Sequence, residues 1–90
     1  MATQCSAVAG TLESNDIFIT ITATGGNGVS ISLSSIVMHQ FGDDIKATVQ
    51  AIMDASGLDG VEVTAQDKGA LECTIKARME TAIARFKEKM

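Results

Sequence analysis

Strict alternation of apolar and polar side chains begins at Ile17. Ile17, Ile19, Ile21 and Ala23 fall on one side and Phe18, Thr20, Thr22 and Thr24 on the other, the period of a strand with one buried face. Val29, Ile31 and Leu33 alternate with Ser30, Ser32 and Ser34 in the same way. Between the two runs lies Gly25-Gly26-Asn27-Gly28, whose tolerance of positive φ predicts a tight hairpin. Upstream, Val8, Gly10 and Leu12 alternate with small residues from Ala7 to Leu12, a weaker strand signal. It stops at the turn formers Glu13-Ser14-Asn15-Asp16, which predict the first hairpin.

The period lengthens near Ser35. Phe41, Ile45, Val49, Ile52, Met53 and Ser56 recur at steps of three and four, giving one apolar stripe on a helix, and Gly57 supplies the left-handed stop. Gly42 costs a helix interior about 1 kcal/mol relative to alanine, so the start falls either near Ile36 or at Asp43. Asp43 and Asp44 suit a first turn, where the helix dipole favours acids. The stretch Gly60 to Ala65 alternates again as a short strand, and Asp67-Lys68-Gly69 marks a turn with a helix N-cap. Leu71, Ile75, Met79, Ala82, Ile83 and Phe86 then keep helical spacing, with Arg85, Lys87 and Lys89 in the last turn, the charge sign a helix C-terminus prefers. Residues 70–77 also admit a strand, since Leu71, Cys73, Ile75 and Ala77 alternate; the unbroken 3.6 period to Phe86 favours the helix.

The predicted order is β-β-β-α-β-α, one domain over residues 1–90 without repeat or linker. Hairpins make the first three strands antiparallel, and two one-sided helices must cover the apolar face of the sheet. The fold class is α+β, a two-layer sandwich with a mainly antiparallel sheet and both helices on one face. Thr20, Thr22, Thr24, Ser30, Ser32 and Ser34 line the other face, which is expected to meet water or, less readily, a partner.

Composition narrows the functions open to such a domain. Ninety residues, 46% of them hydrophobic and 20% charged, build a single small core with little room for a deep pocket and its supporting shell. Seven basic against eleven acidic side chains give a net charge of −4, the wrong sign for nucleic acid or an anionic membrane surface. No run of about 18 apolar residues is present to span a bilayer. The N-terminus also lacks the basic and apolar regions of a signal peptide, so a cytoplasmic location is expected. Cys5 and Cys73 are far apart and outside any CxxC pair, which predicts two unpaired thiols rather than a zinc site or redox dithiol.

Candidate chemistry is sparse. His39 is the only histidine, so it excludes a multi-histidine metal site and reads as a surface residue on the flank of the first helix. A catalytic pair with Cys5 or Cys73 has no support in the spacing. Asp54, Ser56, Asp59 and Glu62 lack the alternation of a calcium loop, and the glycines of 25–28 join two strands with no helix N-terminus to face a phosphate. Ser14 remains, at the tip of the first hairpin between Glu13 and Asn15, where another protein can approach its hydroxyl. On spacing alone it is a turn serine chosen for local hydrogen bonding.

Three stretches give the chain a resemblance. Ala7-Val8-Ala9-Gly10-Thr11-Leu12-Glu13-Ser14, Gln40-Phe41-Gly42-Asp43 and Asp67-Lys68-Gly69-Ala70-Leu71-Glu72-Cys73 occur in order, followed by the pairs Ala77-Arg78 and Ala84-Arg85. Together they resemble the acyl carrier (gamma) subunits of bacterial citrate lyases, a superfamily that includes the delta subunit of malonate decarboxylase. The resemblance implies that Ser14 carries 2′-(5″-phosphoribosyl)-3′-dephospho-coenzyme A through a phosphodiester, attached by a dedicated holo-carrier synthase transferase. It further implies that the arm's thiol holds acetyl, is exchanged to citryl by the alpha (acyl transferase) subunit, and regains acetyl when the beta (citryl lyase) subunit releases oxaloacetate. The chain itself is then a non-catalytic carrier. Family members often have glycine after the serine; Asn15 departs from this but is the next residue most tolerant of a left-handed turn. No Asp-Ser-Leu motif opens a helix, which separates the chain from fatty-acid-type phosphopantetheine carriers. Glu13 and Asp16, beside the arm, are the expected docking charges. The competing expectations are a small regulatory or ligand-binding α+β module without a prosthetic group and a stand-alone cysteine enzyme.

Overall fold

The computed structural model describes residues 5–36 and 38–89, without the side chains of 38–41. The elements run β1 (Ser6–Ala9), β2 (Ile17–Ala23), β3 (Val29–Ser35), α1 (Met38–Ser56), β4 (Val61–Asp67) and α2 (Glu72–Glu88). The predicted α+β order is borne out, and residues 72–88 are helix.

Strand pairing corrects one expectation. The sheet order is β1-β2-β4-β3. β1 pairs antiparallel with β2, β2 antiparallel with β4, and β4 parallel with β3. The sheet is therefore mainly antiparallel, but β2 and β3 do not touch as a hairpin: β4 lies between them. A parallel pair needs a crossover long enough to return the chain to the same end of the sheet, and α1 supplies it between β3 and β4.

The segment 25–28 arches over the start of β4 instead. Thr24 donates its N–H to the Gly60 carbonyl at 2.8 Å, while Gly60 and Val61 donate theirs to Gly28 at 2.9 and 3.2 Å. Asp59 Oδ1 accepts the Gly28 N–H at 2.6 Å. The entry of β4 is thus bonded to both limbs of the arch.

One face of the sheet is apolar in register. Ala7 sits opposite Ile21, Ile21 opposite Val63 and Val63 opposite Ile31; one step along, Ala9, Ile19, Ala65 and Leu33 align. β2 and β4 are the central strands, and their inward residues from Ile17 to Ile21 and Val61 to Ala65 are almost fully buried, while those of the edge strand β3 are half-buried. Both helices cover this face, α1 over β3 and α2 over β1 and β2, and they pack on each other. Val49 and Met53 from α1 and Ile75, Met79, Ala82 and Phe86 from α2 complete the core.

Boundaries shift in three places, and of the two expected starts of α1 the structure takes the one near Ile36. β1 ends at Ala9, so Gly10 to Leu12 belong to the connection rather than to the strand. α1 begins at Met38, which places Asp43 and Asp44 beyond the first turn and leaves Gly42 buried inside the helix. β4 runs on to Asp67. Asp67 is the inward-facing end of that strand rather than a helix N-cap: its carboxylate accepts the Ser35 hydroxyl at 2.7 Å and the Ala70 N–H at 2.9 Å, and the residue before α2 is Leu71, without a side-chain cap.

Candidate functional site

Ser14 lies on the connection between β1 and β2, residues 10–16, at the end of the sheet where β3 and β4 also finish. Glu13 accepts the Asp16 N–H at 3.2 Å, closing a four-residue turn with Ser14 and Asn15 at its centre. Asn15 has φ 65°, the positive value that a type II turn requires at its third residue. Its N–H is donated to Lys68 at 2.8 Å, and Lys68 donates to Asp16 at 2.9 Å, so the turn leans on the chain leaving β4. Ser14 is exposed, and among the described residues its hydroxyl makes no hydrogen bond.

The base of the turn is fixed by Asp16. Its carboxylate accepts the Thr11 hydroxyl at 2.8 Å and the Ile17 N–H at 2.7 Å. Arg78, in the second turn of α2, donates from Nε at 3.0 Å and from Nη2 at 3.2 Å to the two oxygens. Four donors fill the acceptor sites of one carboxylate. The bond with Arg78, then those with Thr11 and Ile17, lower the Asp16 pKa from 3.8 to about 2 against the opposing effect of burial, and the carboxylate raises that of Arg78 in return. At the other root of the connection, a Cβ on Gly10 would lie 1.8 Å from the Ile17 carbonyl oxygen; only glycine fits there.

This geometry sorts the expected site residues. Ser14 is presented as anticipated. Glu13 is exposed beside it, but Asp16 is only 9% exposed and its charge is spent on Arg78, so Asp16 is a structural anchor rather than a free docking charge. In the sequence, Arg78 stands out only as part of a family pattern. The missed signal is its place on the helical stripe, three residues after Ile75 and four before Ala82, where an apolar side chain would be expected. Leu12, Ile36 and Leu71, each more than half exposed, stand at this same end of the sheet.

The other candidates do not converge. Cys5, half-buried at the start of β1, donates weakly to the Lys89 carbonyl at 3.4 Å, and Cys73 is exposed near the opposite end of α2, roughly 24 Å away along the helix. The side chain of His39 lies outside the described residues, as does that of Phe41. Among the described residues no group of three or more His, Cys, Asp or Glu side chains is placed to hold a metal ion, and no helix is long and apolar enough to cross a membrane.

Fold and site together define a small α+β domain that holds up one unengaged serine hydroxyl on a braced turn. Comparison with known proteins gives this class its family. A family model described as malonate decarboxylase delta subunit (MdcD), an acyl carrier protein, matches residues 4–86. The citrate lyase acyl carrier protein of Lactiplantibacillus plantarum (strain ATCC BAA-793 / NCIMB 8826 / WCFS1) is 49% identical over 98% of this chain and 91% of its own length. That of Treponema denticola (strain ATCC 35405 / DSM 14222 / CIP 103919 / JCM 8153 / KCTC 15104) is 45% identical over 92% and 93%. The chain belongs to this acyl carrier family. No solved structure matches it.

Proposed function

We propose that this chain is the acyl carrier subunit of a citrate lyase and that Ser14 is the attachment point of its prosthetic group, 2′-(5″-phosphoribosyl)-3′-dephospho-coenzyme A. The observation that carries the reading is the contrast within residues 10–16: every polar side chain at the base of the turn is engaged, while the Ser14 hydroxyl at its tip is exposed and unbonded. The family membership supports the same assignment.

The residues present fit such a group. A phosphodiester needs an accessible hydroxyl on a convex site with no side chain folded over it, and Ser14 provides one. When bound, the group supplies a terminal thiol on a long arm that carries the acyl group. The protein's own part is to hold the root of that arm still. A fixed root raises the effective concentration of the tethered group at each partner site, the alpha and beta subunits of the lyase, without release between steps. No proton acceptor within the described residues is hydrogen-bonded to Ser14, so activation of its hydroxyl falls to the holo-carrier synthase. Leu12, Ile36 and Leu71 are exposed at the same end of the sheet as Ser14 and, with Glu13, offer a partner apolar surface there. The cytoplasm, where citrate is fermented, is the proposed setting.

Intact-mass measurement and peptide mapping of protein from its native cells growing on citrate test the assignment. The expected result is one covalent group on the peptide containing Ser14, and unmodified Ser14 in that material overturns it. Ser14→Ala should fold with unchanged stability and take up no group. Because the chain has neither tryptophan nor tyrosine, adenine absorbance will report loading almost without background.

A further inference from the structure

Arg78 touches both roots of the Ser14 connection. Its Cδ lies 3.4 Å from the position a Cβ would take on Gly10, at the start, and its guanidinium holds both oxygens of Asp16, at the end. Among the described residues it makes the only side-chain hydrogen bonds from either helix to residues 10–16. We propose that Arg78 is a positioning residue for the loading reaction: acting through Asp16, it sets the pose in which Ser14 meets the enzyme that modifies it. The proposal rests on the reading of Ser14 as the attachment point.

Two arguments separate this from an ordinary ion pair. The first is geometric. Arg78 borders the buried stripe of Ile75, Met79 and Ala82 on α2, so its backbone is placed by the packing of the helix while its half-exposed side chain is held at the tip by two bonds to Asp16. A planar fork bonded to both oxygens defines the orientation of a carboxylate far better than a mobile ammonium does. Asp16 in turn orients Thr11 on one side of Ser14 and the Ile17 N–H on the other. The pose of the turn is thereby referred to the helix layer rather than to solvent.

The second argument is electrostatic. In loading, a bond forms between Ser14 Oγ and a phosphorus of a phosphoanhydride donor. The bond from that phosphorus to its phosphate leaving group breaks, the leaving group keeps the electron pair, and the serine proton passes to a base of the transferase. The donor is polyanionic, and it must approach a turn flanked by Glu13 and Asp16. With Arg78 present, Asp16 adds no net charge to that approach. Without it, a largely buried carboxylate either stands unpaired beside the incoming phosphate or swings outward and takes the turn with it.

The test uses the full chain, the transferase and its donor, with mass-resolved rates of Ser14 modification. Arg78→Gln keeps a planar, neutral hydrogen-bonding head, is two atoms shorter, and removes both the charge and the fork. It should fold, with an unchanged circular dichroism spectrum, and lose at least tenfold in kcat/KM for loading, mainly in kcat because a misplaced nucleophile is a reactivity defect. Arg78→Lys, with charge but no fork, should fall between the two. Amide exchange of Asn15, Asp16 and Ile17 in the unloaded protein should quicken by tenfold or more in Arg78→Gln, while Ile19 and Ile21 exchange as in wild type. Equal loading rates and equal exchange in a folded Arg78→Gln protein overturn the proposal while leaving Ser14 as the attachment point. Should Arg78→Gln fail to fold, loading of Arg78→Lys at the wild-type rate overturns it in the same way. A wild-type chain that takes no group on Ser14 overturns the attachment reading, and this proposal with it.

Discussion

Asn15 is the only non-glycine among the described residues with positive φ, and it stands directly after the serine. The left-handed region costs most L-residues 1–2 kcal/mol, less for asparagine and nothing for glycine. Its place in a cluster of turn formers was legible in the sequence, because local φ preference belongs to one residue and its neighbours. Asn15→Gly should therefore alter stability by less than about 0.5 kcal/mol, and Asn15→Val should destabilise by about 1–2 kcal/mol in urea titration. A β-branched residue tolerated there without loss would mean that the turn adopts another shape. The partnership of Asp16 with Arg78 was not legible in the same way. The two are separated by 62 positions, no spacing rule links them, and an aspartate at a turn has a sufficient local explanation.

At the scale of elements, the chain's periodicity located both helices and the buried side of each strand, since burial of one face imposes its period on the sequence. It did not reveal which strands pair. The runs 17–24 and 29–34 are each compatible with any antiparallel neighbour, and glycines between them suit a tight turn as well as a close crossing of backbones. The structure uses them for the crossing: β3 and β4, joined by a helix, lie side by side as a parallel pair. This distinction has a measurable consequence at two glycines that flank the entry to β4. Gly57 and Gly60 both have positive φ, 75° and 66°, but a Cβ on Gly57 meets nothing within 4 Å, whereas one on Gly60 lies 2.4 Å from the Gly26 carbonyl oxygen. Gly57→Ala should cost about 1 kcal/mol for backbone strain alone. Gly60→Ala should cost about 1–3 kcal/mol more, because the arch or the strand must move. Similar losses for the two variants in equilibrium denaturation would show that the arch yields freely and does not fix the strand order.

For the molecule as a whole, the net charge of −4 does not reside in Asp16, because Asp16 and Arg78 each count toward it and cancel as a pair. At the end of the sheet that carries Ser14, Glu13 is left as an exposed acid together with the exposed apolar side chains of Leu12, Ile36 and Leu71. The same pair links the fold to pH in a direction that can be worked out. The folded Asp16 pKa is lowered from 3.8 to about 2, so the unfolded chain takes up its proton first as the solution is acidified. The contribution of Asp16 to stability is then full above pH 3.8 and is lost as pH falls toward about 2. Its size is about 1–2 kcal/mol, since the Arg78 side chain is 41% exposed and solvent screens part of the attraction. The difference in unfolding free energy between wild type and Asp16→Asn should accordingly stay constant from neutrality down to about pH 5 and shrink steadily below pH 4. Other carboxylates titrate in the same range, but they are common to both proteins and cancel in the difference. A difference that persists undiminished to pH 2 would mean that the asparagine variant loses packing or hydrogen bonds rather than charge, and that the clamp beneath Ser14 is not held by the ion pair.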